Sequence, residues 1–372
     1  MKKVNGEAII QAFERFSPKS LAFDGDKIGL QIGTLSKPVA NVMITLDVNE
    51  QIVDEAVEKG AELIISHHPL IFKPLEHVRT DSSYGRAVQK LLKHDIALYT
   101  AHTNLDNAKG GVNDLMAEAL GLQQTDIFVP AGEDPLKKLI VFVPEEDADQ
   151  VREALGEAGA GHIGDYSHCS FNAKGTGAFK PGDSSNPHIG KQGEMEFVNE
   201  VKVETVYPHS IEKTVLNAMK KAHPYEEVAY DVYDLAMDGE VYGLGRIGYL
   251  PAEESLERFC ERVKNAFDIS SVRAVGDLTA GVKKVAVLGG DGNKYAMKAL
   301  HKGADVYVTG DIYYHVAHDA MNEGLKMVDP GHHTEKIMKK AVADRLNTMI
   351  KEKQAGTNVF VSEADEDPFQ FV

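Results

Sequence analysis

Short runs of apolar, β-forming residues alternate along the chain with longer stretches whose apolar positions recur every three or four residues. Before about residue 129 the runs fall at 42–47, 61–66 and 97–101, and helical periodicity fills 49–59 and 83–93. Strands alternating with helices of this length predict βαβ units around a parallel sheet. The same alternation resumes after about residue 241, with strands over 284–288, 306–309 and 327–328, a helix over 296–301 and a last helix from about 335 to 351. The two ends therefore read as halves of one α/β domain, 1–130 with 241–372.

The intervening stretch, 131–240, differs in character. A strand over 138–143, a helix over 148–155, Gly-rich polar strands within 166–206, a helix through Lys221 capped by Ser210 and a strand over 228–233 give a ferredoxin-like order. It is expected to be an inserted α+β domain. The glycine-rich segment 175–193 is expected to be a mobile loop, and 363–372 a loosely held end. No internal repeat or heptad array is present.

Four of the predicted strands of the outer segments run into residues that can ligate a metal. His67-His68-Pro69 follows the first, His102-Thr103-Asn104-Leu105-Asp106 the second, Gly310-Asp311 the third, and Asp329-Pro330-Gly331-His332-His333-Thr334-Glu335 the fourth. If the strands are parallel neighbours, their C-terminal ends share one edge of one sheet, and the imidazoles and carboxylates converge there. Successive residues of an extended segment point to opposite sides, so His67 and His68 are expected to serve two different ions. Metals about 3.5–4 Å apart usually share a carboxylate, and Asp106 and Glu335 are the candidates. His332 and Glu335, three apart, share a face if the helix starts there; spacing leaves His333 in competition with His332. A single histidine past a strand is more often a capping or surface residue. It is the set that points to metal, since imidazole and carboxylate suit zinc, manganese, iron, cobalt or nickel.

Catalytic residues are not identified by this pattern, but His102, Asn104, Asp311 and His315 are candidates for orienting ligands or moving protons. Gly289-Gly290-Asp291-Gly292 could cradle an anion on backbone N–H groups, and Arg246 within Gly243–Gly248 could reach one. Neither matches a nucleotide-binding fingerprint. There is no Gly-x-Ser-x-Gly elbow, and Cys169 beside His168 would face the opposite side of a strand, so covalent catalysis is a poor reading.

Composition narrows the function classes. The chain has 372 residues, 43% hydrophobic and 26% charged, enough for two or three domains. A formal net charge of -17 argues against bulk nucleic-acid binding, though not against a polyanionic small substrate. Two cysteines, Cys169 and Cys260, and no CxxC pair exclude a disulfide framework or a thiolate zinc site and fit a reducing cytoplasm. The first residues form an amphipathic pattern rather than an apolar leader, and no apolar run approaches the roughly 20 residues of a membrane span. A soluble, unprocessed, cytoplasmic protein with no membrane partner is expected.

The motifs His67-His68-Pro69, His102-Thr103-Asn104-Leu105-Asp106 and Gly331-His332-His333-Thr334-Glu335 resemble those of the Nif-three-like family, whose members are called GTP cyclohydrolase 1 type 2 homologues. The segment Leu21-Ala22-Phe23-Asp24-Gly25-Asp26-Lys27-Ile28-Gly29-Leu30-Gln31-Ile32-Gly33 is similar to that family's Trp-Asp-Asn-x-Gly-Leu-Gln-x-Gly stretch, with Phe23 and Gly25 in place of tryptophan and asparagine. The last motif is one residue shorter than the common Gly-His-x-x-x-Glu form. The resemblance implies an α/β/α fold and two divalent metal ions per chain, zinc foremost, held by His67, His68, Asp106, His332 and Glu335. It also implies a ring-shaped homohexamer. His223-Pro224-Tyr225-Glu226-Glu227 resembles the PII and copper-tolerance-protein-A type of domain inserted in longer bacterial members. The leading expectation is a metal-dependent hydrolase acting on GTP or another nucleotide-like molecule. The competing ones are a non-catalytic regulatory or partner-docking protein, and metal storage.

Overall fold

The computed structural model describes residues 3–352, 356–364 and 367–370. The chain divides into two compact units, Met1–Ala131 with Tyr242–Val372, and Gly132–Val241.

The larger unit contains two main sheets where the sequence suggested one. In the first, Asn358–Val361, Asn41–Thr45, Leu63–Ser66 and Ala97–Thr100 lie side by side in parallel, and Gly29–Ile32 closes the edge antiparallel. In the second, Gly281–Asp291, Val306–Gly310 and Lys326–Asp329 are parallel, flanked by the antiparallel strands Glu240–Ser255 and Arg273–Val275. The strands ending at His67 and His102 are thus neighbours in one sheet, and those ending at Asp311 and before His332 are neighbours in the other. Alternation predicts where a strand forms but carries no information on which strands pair.

Each sheet is buried on both faces, as near-continuous runs such as Leu63-Ile64-Ile65 require. Ile64, Met43 and Leu98 meet helices Glu50–Glu58 and Ser83–Lys93 through Ile52, Val53, Val88 and Leu91. Tyr307 and Ala286 face helix Ala296–His301 through Ala296 and Ala299. Between the sheets lies the largest core. There Ile44, Ile65, Val287 and Val308 enclose Phe13, Met116, Phe259 and Leu346 from four helices. The architecture is α/β, with each sheet held in an α/β/α arrangement. Helix starts are set locally: Asn49 accepts from the Ile52 N–H at 2.9 Å and Ser82 from the Gly85 N–H at 3.1 Å.

The Gly132–Val241 unit has four antiparallel strands, Leu136–Pro144, Phe171–Phe179, Glu196–Pro208 and Tyr230–Asp234, with helices Ala148–Glu157 and Glu212–Ala222. In chain order the sheet reads 4-1-3-2, the ferredoxin-like arrangement. Val141, Val203 and Tyr207 pack under both helices with Val151, Val215 and Met219.

Several local expectations are corrected. Gly175–Phe179 belong to a strand rather than a mobile loop. Ser210 does not cap the following helix: it lies in a 3-10 turn and its N–H donates to Asp134 Oδ1 at 2.9 Å. His168 is not in a strand and takes a left-handed backbone, φ 58°. The chain near 363 is tied down, since the N–H groups of Glu363 and Ala364 both donate to the Glu55 carboxylate; residues 365–366 and 371–372 lie outside the described part. No helix among the described residues is long and apolar enough to cross a membrane.

Candidate metal centre

The strand Leu63–Ser66 stops where Pro69 follows, and His67 and His68 extend from its C-terminal end. Their rings are not on opposite sides of the chain; they lie 5.0 Å apart at 45°. The short helix Thr103–Asn107, starting directly after its strand, carries Asp106 on its buried side. In the other sheet, Gly331 takes φ 84° and starts a 3-10 turn, His332–Lys336. With three residues per turn, His332 and Glu335 lie one above the other.

These residues converge. Three overlapping groups, His67/His68/His102, His68/His332/Glu335 and His67/Asp106/Glu335, each present ligand atoms within 4.8 Å of one another. Glu335 Oε2 stands 3.1 Å from His68 Nε2, 3.3 Å from His332 Nε2 and 3.8 Å from His67 Nε2. His332, rather than His333, belongs to these groups.

The outer nitrogen of every imidazole is held by an oxygen. His67 Nδ1 donates to the Ala101 carbonyl at 2.9 Å, His68 Nδ1 to Asp47 at 2.8 Å, His102 Nδ1 to Asp26 at 2.9 Å and His332 Nδ1 to Asp311 at 2.6 Å. Such acceptors orient each ring with Nε2 turned inward, where a metal ion would replace the proton that His68 and His332 share with Glu335. Asp311 reaches His332 from a left-handed backbone, φ 55°.

Burial makes the charges interdependent. Burial drives His67 down to about 3, so it stays neutral. Burial and the charge of Glu335 push Asp106 up to about 8. Glu335, despite burial, is held well below the usual carboxylate range by His332 and His68. His68 is raised to about 10 by Asp47 and Glu335 against the opposing effect of burial. One observation tests whether the site fits a cation. His67 Nε2 and Asp106 Oδ1 are both buried without a hydrogen-bond partner, 3.5 Å apart. With Asp106 ionised, a neutral imidazole lone pair facing its oxygen leaves two buried acceptors opposed, which is costly unless a proton or a metal cation lies between them; the raised Asp106 expresses the same lack of positive charge that a metal ion would supply. The residues fit.

Not every predicted residue is here. Asn104 turns away to donate to the carbonyl and hydroxyl of Ser17 at 3.0 and 2.9 Å. His315 is exposed on helix Tyr314–Asn322 with its ring against Tyr314. Asp329 accepts from the Ile312 and Gly331 N–H groups at 2.9 Å and pairs with Arg273. At the suggested anion sites, donors are already engaged. Gly289 N–H donates to Asn113 Oδ1 and Gly292 N–H to Thr309 Oγ1. Gly289 and Gly290 instead admit Glu335, because a Cβ at either would come within 2.9 Å of its Oε1. Arg246 is committed to Asp114 and to the carbonyls of Gly243 and Gly245.

Two participants went unassigned in the sequence reading. Asp47 follows the strand Asn41–Thr45 just as His67 follows its own, so the same rule would have found it. Asp26 follows no strand; it sits in a loop that docks on the Thr103 N–H at 3.0 Å, beside which Phe23 N–H donates to Thr103 Oγ1.

Fold and site together define an α/β protein with a buried histidine-carboxylate cluster at the edges of two sheets. The chain belongs to the Duf34/NIF3 (NGG1p interacting factor 3) family, whose model matches residues 4–368. It is 60% identical over the whole of both chains to a Bacillus subtilis protein named GTP cyclohydrolase 1 type 2 homolog, and 58% identical, again over both full chains, to a Halalkalibacterium halodurans protein of that name. Among solved structures it is similar to a Bacillus cereus protein related to NIF3, with TM-score 0.93 and 55% identity over both full chains.

Proposed function

We propose that His67, His68, Asp106, His332 and Glu335 would hold two divalent metal ions per chain, and that the protein is a metal-dependent hydrolase of a nucleotide-like substrate. The facing pair of buried, partnerless atoms, His67 Nε2 and Asp106 Oδ1, carries this reading. A thiol-free set of nitrogen and oxygen donors suits zinc first, and also iron, manganese, cobalt and nickel. Ions bound there would supply Lewis acidity and make water acidic enough to react near neutral pH.

The chain's own residues do the rest. Asp47, Asp311 and the Ala101 carbonyl hold three imidazoles with Nε2 inward. His102, anchored by Asp26 and with a ring nitrogen close to those of His67 and His68, is placed to accept or return a proton. The names of the relatives make opening of the GTP ring, with release of formate, the first reaction to test. The reading includes a ring-shaped homohexamer, which light scattering would report as a mass near six chains of 40.6 kDa.

Elemental analysis of native protein and of His68→Ala, coupled to assays for formate and phosphate release from GTP, tests the proposal. Two metals per chain with product formed by the native protein and lost in the variant is expected. Metal-loaded protein that turns over neither purine nucleotides nor phosphoesters would overturn the hydrolase reading.

A further inference from the structure

The four-stranded sheet of the Gly132–Val241 unit carries its helices on one face only. On the other face, between that sheet and the turns that follow Phe179 and His223, lies a cavity of about 740 Å³. Its floor follows from strand register. Glu200 pairs with Gly175, and Gly177 sits two positions along the same neighbouring strand. The two glycines leave room where side chains would otherwise fill the cavity. A Cβ at Gly177 would lie 2.2 Å from Glu200 Oε2, whereas one at Gly175 would meet no atom within 4 Å and project into open space.

Glu200 is only 9% exposed, yet among the described residues the one hydrogen-bond partner of its carboxylate is the Tyr225 hydroxyl, at 3.4 Å. Burial and the Glu200 charge push that hydroxyl up to about 12, so Tyr225 remains a proton donor. Among the described residues no lysine or arginine pairs with Glu200. Lys174 and Lys202, which also line the cavity, are paired with Glu145 and Glu204. Exposed Lys180 at the rim is outnumbered by Glu226 and Glu227. The walls are aromatic: Phe179 and Tyr225 meet edge to face with centroids 5.8 Å apart, and His188 approaches Tyr225 at 6.2 Å.

A buried carboxylate with one long hydrogen bond lacks a counter-charge. Ring faces beside it attract cations and exclude water. We propose that this cavity binds a small organic cation, an amine or amidine on an apolar body, with the charge on Glu200 and the body against Phe179 and Tyr225. The volume exceeds what a bare ammonium ion needs, which is why the ligand must bring apolar surface with it.

The test uses the full chain and three probes of similar shape: benzamidine, the neutral benzyl alcohol and the anionic benzoate. Calorimetry and saturation-transfer NMR should show benzamidine binding at least about tenfold more tightly than either of the others, the scale of one charge-assisted hydrogen bond. Glu200→Gln should remove that preference, and Gly175→Val should abolish binding by filling the cavity, each with an unchanged melting temperature. The valine variant keeps the test alive should the glutamine variant fold poorly. Glu335→Gln should bind benzamidine like the native chain, which separates this cavity from the metal centre. No benzamidine binding at about 10 mM, equal binding of benzyl alcohol, or a Glu200→Gln protein that binds as before would overturn the proposal.

Discussion

His67 and His223 are both buried histidines just past a regular element, and the difference between them shows how a metal-type imidazole is told from a structural one. His223 has both nitrogens satisfied by backbone: Nε2 donates to the Phe142 carbonyl at 2.9 Å and Nδ1 accepts from the Tyr225 N–H at 3.1 Å. His67 has only its outer nitrogen satisfied, and the inner one stands 3.5 Å from Asp106 Oδ1. The first ring closes a turn. The second turns its inner nitrogen toward a carboxylate, and burial alone does not distinguish the two.

The strongest way to break this contrast is to remove Glu335, the carboxylate that His67, His68 and His332 all approach. On the proposed reading Glu335→Gln is expected to lose both ions, taking metal content per chain from near two to well below one by elemental analysis; retention of both would remove Glu335 from the proposed ligands. Next in size is Asp47→Asn, which leaves every proposed ligand in place but weakens the grip on His68. A drop of roughly 10–100-fold in metal affinity, read by competition with a chelator, is expected. An unchanged affinity would mean that the outer acceptors do not matter.

A third measurement works on the other histidine. Burial holds His223 below the ordinary imidazole value, against the Phe142 carbonyl and the charges of Asp147 and Glu200, with His188 acting in the same direction as burial. The folded state therefore binds this proton less readily than the unfolded one. The contribution is fully present above the ordinary imidazole value of 6.5 and is lost progressively as pH falls below it. Protonation would also remove the acceptor for the Tyr225 N–H. Hydrogen exchange should show protection at Tyr225 falling as pH drops below 6.5, after correction for intrinsic rates, and a flat profile in His223→Gln. The smallest effect is expected for His333→Ala, which should leave metal content unchanged; a loss equal to that in His332→Ala would reverse the choice between the two.

Much of this was readable from the chain because strand ends and metal-binding residue types are both local. The runs ending at His67, His102 and Asp311 form strands as expected, and the side chains beyond them do meet. What was not readable depends on pairing over long distances. Nothing in Val306-Tyr307-Val308 says that it joins a different sheet from Leu63-Ile64-Ile65. The role of Gly289-Gly290 was misjudged because a free N–H and a missing Cβ are equally consistent with a glycine pair, and only Asn113 and Glu335 decide between them. Asp26 was hidden for the converse reason, since a loop carboxylate shows no periodicity at all.

The strand Asn358–Val361 lies against Asn41–Thr45, and Thr45 Oγ1 meets Ser362 Oγ across 317 positions of sequence. During synthesis on the ribosome, the apolar strand Asn41–Thr45 must wait with one edge unpaired until residues 358–361 have emerged. A bare parallel edge invites pairing with a neighbouring nascent chain. Ribosomes stalled or truncated before codon 358 should therefore yield aggregating products, and translation speed through the last stretch of the message becomes a determinant of yield.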